Sequence, residues 1–371
     1  MNRNIFQQLY HKDLQRTYKD FKASEGGIIL DNVIGSIPDL QTHFENLRKS
    51  IFPNTKVLIS YHNPVWEPVL TLASKIGLRK NVGIQNWIDQ EDLKNILQLS
   101  GYQVIESYKR FFSITTITIA MINTTKVGAK KNYSVSIIVP ARNEEGNINK
   151  IIPSIPKFGK WQEIIFVEGN SKDNTKLIIE KEVKKKHKKN LRVKFYQQNG
   201  KGKADAVKLG FAKASGDIIM IYDADRTVAA SDLHKFYNVL AQNLGKFING
   251  SRLVYPMEDD AMRTLNKIGN KMFGSLFTWI LGTRFKDTLC GTKAMFRRDF
   301  IKYNRDYKKY LKTDPFGDFA LIFTAIKNHL KVVEIPVRYK ERVYGSTNIH
   351  RFRHGILLLK MAFQAFIEFK L

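Results

Sequence analysis

Three runs in the second part of the chain, Ser134–Pro140 (SVSIIVP), Glu163–Val167 (EIIFV) and Asp217–Tyr222 (DIIMIY), are almost wholly apolar, and each stops abruptly on a polar loop. An alternating run marks a strand with one wet face, whereas a continuous run marks a strand buried on both faces. The loops read ARNEEGNI, EGNSKDNT and DAD. Helical patterns follow the first two, Arg192–Phe195 adds a strand, and Ala204–Ala214 adds a helix. Such alternation builds an α/β fold on a mostly parallel sheet. Ligands of such sheets sit beyond the carboxyl ends of the strands, which here are the polar loops.

The first part of the chain also alternates. Strands are expected at Gly27–Val33, Lys56–Ser60 (after the Pro53-Asn54 turn), Gln103–Glu106 and Phe111–Ile122. Helices are expected at Asp39–Ser50 and Trp87–Leu99, the second capped by Asp89, with Asp92 completing an approximate capping box. The pattern predicts a parallel sheet here too. The polar stretch Asn123–Asn132 (NTTKVGAKKN) marks a boundary, giving domains 1–125 and 126–371. The pieces IILDNVIGSIPD, LRKSIFPNTKVLIS and NWIDQEDLKNILQLSGYQVIES resemble the C-terminal half of a class I S-adenosylmethionine-dependent methyltransferase. Families of this kind hold the cofactor on a glycine-rich turn after a first strand. Gly26-Gly27 has neither that strand nor the spacing. The resemblance therefore implies a truncated α/β module without methyltransferase activity, serving in packing or in homo-oligomer formation.

Charge narrows the partners. The chain carries 61 Lys and Arg against 34 Asp and Glu, a net charge of +27. This favours an anionic partner such as a nucleotide, a phosphate-bearing lipid or an acidic membrane surface. Nucleic acid is disfavoured, because the basic run KEVKKKHKK (Lys181–Lys189) has no interleaved aromatic residues. A single cysteine, Cys290, excludes an intrachain disulfide and a four-thiolate zinc site. The N-terminal stretch lacks the apolar core of a secretory signal, so a cytoplasmic setting is expected. No run of 18 apolar residues occurs. Met272–Gly282 and Gly355–Leu371 are apolar helices, and the second either packs on the core or lies on a membrane surface as an amphipathic helix.

Asp223-Ala224-Asp225 carries the sharpest chemistry. Residues two apart in an extended segment point the same way, so both carboxylates can meet one cation. Hard oxygen ligands suit Mg2+ or Mn2+, held together with substrate phosphates. Glu168 is placed to accept hydrogen bonds from a base or ribose, and Asp173 either does the same or caps the next helix. Gly200, Gly202 and Lys203 precede a helix in NGKGKADA, where lysine can meet phosphate. The spacing is not that of a Walker A loop.

Together SIIVPARNEEGNI, FVEGNSKDNT, NGKGKADAVKLGFAKASGD, YDAD and DTLCGTKAMFRR resemble the family 2 glycosyltransferases, which have the Rossmann-like GT-A fold. The branch most resembled is that of dolichol-phosphate mannose synthase and polyprenyl-phosphate glycosyltransferases. The resemblance implies that Pro140, Arg142 and Glu144 line the nucleotide pocket, with Glu168, Asp173 and Lys203 nearby. Glu168 stands where the family usually has aspartate. Asp223 and Asp225 would hold the metal and the diphosphate. Asp287, Gly291 and Thr292 would shape the sugar and acceptor side. Asp318 (FGDF) would be the acid of the catalytic region, and Arg342 (ERVYGSTNI) would reach the phosphates, with Gly345 letting its loop fold over. The implied catalytic set is thus Asp225, Asp287, Asp318 and Arg342. The donor would be a UDP- or GDP-sugar, and the acceptor a polyprenyl phosphate or a cell-surface glycan, used with inversion. The alternative is a silent nucleotide-sugar or lipid binder of the same fold.

Overall fold

The computed structural model describes residues 14–22, 27–79, 85–124, 131–256, 264–314, 316–345 and 351–371. The chain divides into two compact units, Met1–Val127 with Val254–Pro256, and Gly128–Leu253 with Met257–Leu371. The boundary stretch Asn123–Asn132 falls largely outside the described residues, as do Gly26 and the end of the ERVYGSTNI segment.

The first unit holds a four-stranded sheet of β1 (Ile28–Asp31), β2 (Lys56–His62), β3 (Tyr102–Arg110) and β4 (Thr115–Ile122), in the order β1-β2-β4-β3. Only β1 and β2 pair in parallel, while β4 runs antiparallel to both of its neighbours. This corrects the all-parallel expectation. The apolar run from Phe111 is not one strand. Phe111, Phe112 and Ser113 take left-handed φ values, and the chain reverses there. So short a connection can join only antiparallel strands. The helix Gln90–Leu99 starts as expected: Asp89 accepts from the Asp92 N–H at 2.8 Å, and the Asp92 side chain accepts in return from the Asp89 N–H. Helix Leu40–Ser50 buries Leu40 and Phe44 against Val57, Ile59, Leu93 and Leu97.

The second unit is built on seven strands: β5 (Val135–Ala141), β6 (Gln162–Glu168), β7 (Leu191–Gln197), β8 (Ile218–Ile221), β9 (Phe247–Ser251), β10 (Lys293–Phe296) and β11 (Val332–Pro336). Their order is β11-β9-β10-β8-β5-β6-β7. Strands β5 to β8 are parallel to their neighbours among themselves, and β10 is antiparallel to both β8 and β9. The continuous apolar runs are the buried central strands: β6 and β8 are buried at every residue. This α/β sheet with one reversed strand agrees with the GT-A expectation. The helices Thr264–Leu281 and Arg351–Lys370 pack together, with Trp279 stacked on Phe366. The last helix is longer than expected at its start and buries Leu358, Met361, Ala362 and Ala365 in the core. Among the described residues, no helix is long and apolar enough to cross a membrane.

Candidate active site

Strand β8 delivers the acidic loop. Tyr222 and Ala224 are buried, which turns Asp223 and Asp225 outward. The two carboxylates do not share a partner. Asp223 Oδ1 lies 2.7 Å from Lys203 Nζ. Asp225 Oδ2 accepts from Arg342 Nη2 at 2.6 Å, and its Oδ1 accepts from the Thr227 N–H and hydroxyl at 3.1 and 2.9 Å. Lys203 opens the helix Lys203–Lys213, behind Gly202 at φ 86°. Burial works against its charge, but Asp223, Asp318 and Asp225 outweigh burial and raise its pKa above the usual lysine value. Gly291 closes over this pair. A Cβ there would lie 2.1 Å from Lys203 Nζ and 2.2 Å from Asp223 Oδ2, so only glycine lets the loop approach so closely.

Arg342, which meets Asp225, also lines a cleft of about 280 Å³, whose walls include none of Lys203, Asp223, Asp225 and Gly291. Arg142, Glu144, Asp173, Arg342 and Gly345 line it, joined by Asn143, Lys172 and Tyr344, which the sequence did not single out. Glu144 accepts from Arg342 Nη1 at 2.9 Å and from Asn147 Nδ2 at 2.8 Å. Burial still raises its pKa despite these partners. Tyr344 donates to Glu145 at 3.0 Å, and its ring covers Gly146 so closely that a Cβ there would clash. Asp173 orders the turn ahead of the helix Thr175–Lys184: Oδ1 accepts from the Thr175 N–H and hydroxyl at 3.0 and 2.6 Å, and Oδ2 from the Glu145 N–H at 3.3 Å. Burial alone would raise its pKa, but these bonds lower it.

Other expected residues lie outside the cleft. Glu168 is buried and bonds back to the Ser171 N–H of its own loop at 2.5 Å. Pro140 is half-buried within β5, and Thr292 is fully buried. Asp318 opens the helix Asp318–Lys327 and accepts from Lys293 Nζ at 3.1 Å, and the buried Lys293 also donates to the Cys290 carbonyl.

Asp287 needs correction as a catalytic residue. It is fully buried, and both oxygens are taken. Arg252 donates to Oδ2 through Nε at 2.6 Å and through its backbone N–H at 3.0 Å, and to Oδ1 through Nη2 at 2.8 Å. Asn270 Nδ2 and the Leu289 N–H also reach Oδ1, at 3.2 and 3.1 Å. Burial disfavours its charge, but Arg252 outweighs burial and holds the pKa below the carboxylate range. Asp287 therefore fixes the loop that carries Gly291. Arg252, just beyond β9, was missed. Its only signal in the sequence is an arginine following the buried strand FINGS.

The donor chemistry of Asp223 and Asp225, two partly exposed carboxylates two residues apart, is of the hard-oxygen kind that divalent cations take, and each now faces a cationic side chain. Among the described residues, no group of three or more His, Cys, Asp or Glu gathers as a closed metal site. An ion here would rest on Asp223, Asp225 and substrate phosphates.

Residues 136–304 match the family model described as Glycosyl transferase family 2. Glycosyltransferase AglJ of Haloferax volcanii is 27% identical over 232 residues, covering 62% of this chain and 71% of the relative. A UDP-N-acetylglucosamine–dolichyl-phosphate N-acetylglucosaminyltransferase of Methanococcus voltae is 28% identical over 247 residues, covering 61% and 96%. Among solved structures, the mannosyltransferase PcManGT from Pyrobaculum calidifontis, in complex with GDP-Man and Mn2+, aligns with a TM-score of 0.45. Its identity is 16%, over 66% of this chain and 67% of that one.

Proposed function

We propose that this chain, a glycosyltransferase carrying a family 2 domain over residues 136–304, moves a sugar from a UDP- or GDP-linked donor to a polyprenyl phosphate, with inversion. One observation carries the choice of acceptor: each aspartate expected in the catalytic or metal-binding set already faces a cation. Asp223 meets Lys203, Asp225 meets Arg342, Asp318 meets Lys293 and Asp287 meets Arg252. A sugar hydroxyl needs a base within hydrogen-bond reach. A lipid phosphate is already anionic at neutral pH and needs only positioning and neutralisation. The name of the Methanococcus voltae relative, a dolichyl-phosphate transferase, points the same way. A cell-surface glycan is the second choice of acceptor.

In this reading Arg142, Lys172 and Glu144 wall the nucleotide site. Asp223 and Asp225 hold Mg2+ or Mn2+, which when bound offsets the charge on the departing diphosphate. Lys203 steadies Asp223 and presents its own charge to the same phosphates. Asp318 orders Lys293 beside the Gly291 loop. The first unit keeps the packing or homo-oligomer role proposed from its sequence. The protein works peripherally on the cytoplasmic face of a membrane, where a lipid phosphate is found.

The test is a screen of UDP- and GDP-sugars against a polyprenyl phosphate and a soluble glycan, read as product mass. A lipid-linked glycosyl phosphate is expected. Product from the glycan alone would reject the acceptor, and no product from any pair would reject transfer itself.

A further inference from the structure

The segment after β11 crosses the acidic loop as a strap. Arg338 donates its backbone N–H and Nη2 to Asp232, each at 2.9 Å. Tyr339 bridges to Val228, and the Lys340 N–H reaches the Thr227 carbonyl at 2.8 Å. Beyond Lys340, side chains dock the strap: Arg342 on Glu144 and Asp225, and Tyr344 on Glu145. The guanidinium thus joins two loops, and one of its partners is the carboxylate proposed as a metal ligand.

We infer that Arg342 is a removable counter-cation that keeps the metal site closed until nucleotide arrives. This rests on the reading that Asp223 and Asp225 take a divalent ion. A metal at Asp225 Oδ2 and a guanidinium 2.6 Å from the same oxygen repel as like charges. Metal entry therefore drives Arg342 away from Asp225. With metal alone, the displaced guanidinium keeps only Glu144, whose buried carboxyl holds charge reluctantly. With a diphosphate in the adjacent cleft, it gains a doubly charged partner suited to its planar fork. Metal and nucleotide therefore bind cooperatively, and by linkage each strengthens the other by the same factor. Arg342 is also the positioning residue that balances the charges of Asp225 and Glu144.

Mn2+ titration followed by electron paramagnetic resonance tests this on the full chain, with and without UDP or GDP. A strap closed about nine-tenths of the time weakens apparent metal affinity about tenfold. Arg342→Met should therefore tighten Mn2+ alone by about that factor, while weakening nucleotide in the presence of Mn2+. A purely structural arginine would move both affinities the same way. Asp225→Asn should lose the ion in either background. Equal Mn2+ affinity in wild type and Arg342→Met would overturn the strap and leave the transferase reading intact. If neither protein binds Mn2+, the metal reading beneath it fails as well. Should Arg342→Met not fold, amide exchange of wild type over residues 341–345 decides: protection must fall when Mn2+ alone is added, and unchanged protection rejects the proposal.

Discussion

Asp225 follows strand β8 and Asp287 lies on the loop that leads into β10, and their surroundings give these two carboxylates opposite work. Asp225 is partly exposed and meets the cleft residue Arg342 through Oδ2, and its Oδ1 orders the turn through Thr227. Asparagine retains that acceptor for Thr227, but it loses the charge and the acceptor that meets Arg342. Asp225→Asn should therefore keep the circular dichroism spectrum and lower turnover by at least about a hundredfold, the scale of a lost electrostatic stabiliser in a transition state. Near-wild-type turnover with Mn2+ would remove Asp225 from the chemistry. Asp287→Asn should instead act on stability. It leaves the Arg252 guanidinium, only 12% exposed, without its counter-charge. Breaking such a buried pair costs about 3 kcal/mol or more. Urea unfolding should register that loss, and an unchanged midpoint would contradict the clamp.

At the scale of elements, the central strands were legible because a strand buried on both faces must be apolar at every position, as β6 and β8 are. Strands β9 and β10 were not legible. FINGS and KAMF are short and mix small and polar residues, and their direction depends on neighbours distant in sequence. Asp223 and Asp225 could be picked out because their acidic loop follows a buried strand, and Lys203 because a glycine-rich loop leads into its helix, whereas Gly291 came only with the family resemblance. The role of Asp287 could not, because whether its carboxylate meets substrate or Arg252 is decided by a residue 35 positions away. Buried titratable groups extend the argument to pH. In the second unit, burial pushes Asp314 up to about 6 and Glu334 up to about 7. Their folded forms keep protons that the unfolded chain releases. That stability is present below the ordinary carboxylate range and is lost as pH rises through 6 to 7. In the first unit, burial and then Arg79 depress His62 from 6.5 to about 4. Its stability is present above 6.5 and is lost as pH falls toward 4. Amide exchange, corrected for intrinsic rates, should show β2 gaining protection between pH 5 and 7, about the window of these shifts, while β6 loses it. Slopes of the same sign in both units would contradict one of these assignments.

For the molecule as a whole, the last helix poses the remaining question. Its apolar residues divide between two faces. Leu358, Met361, Ala362 and Ala365 belong to the core, whereas Ile356, Leu359, Phe363 and Ile367 are exposed and recur at helical spacing. Trp279 and Met272 of the neighbouring helix are exposed as well. Lys271, Lys360 and Lys370 are exposed on the same two helices, and Lys370 lies 5.8 Å from the centre of the Trp279 ring. An apolar stripe rimmed by lysine suits an anionic bilayer interface, each basic contact adding on the order of 1 kcal/mol near the surface. Removing the whole helix would strip the core and could not separate binding from folding. A charge placed on the exposed face can. Phe363 is 67% exposed, so Phe363→Glu should leave the thermal midpoint almost unchanged. It should sharply reduce co-flotation with vesicles rich in anionic lipid, and the binding that remains should weaken from low to high salt, because screening shortens the reach of the lysines. If wild-type protein stays with the soluble fraction at low salt, the helix has no membrane role, and a soluble glycan becomes the better acceptor. If Phe363→Glu floats as well as wild type, the contact lies elsewhere on the molecule.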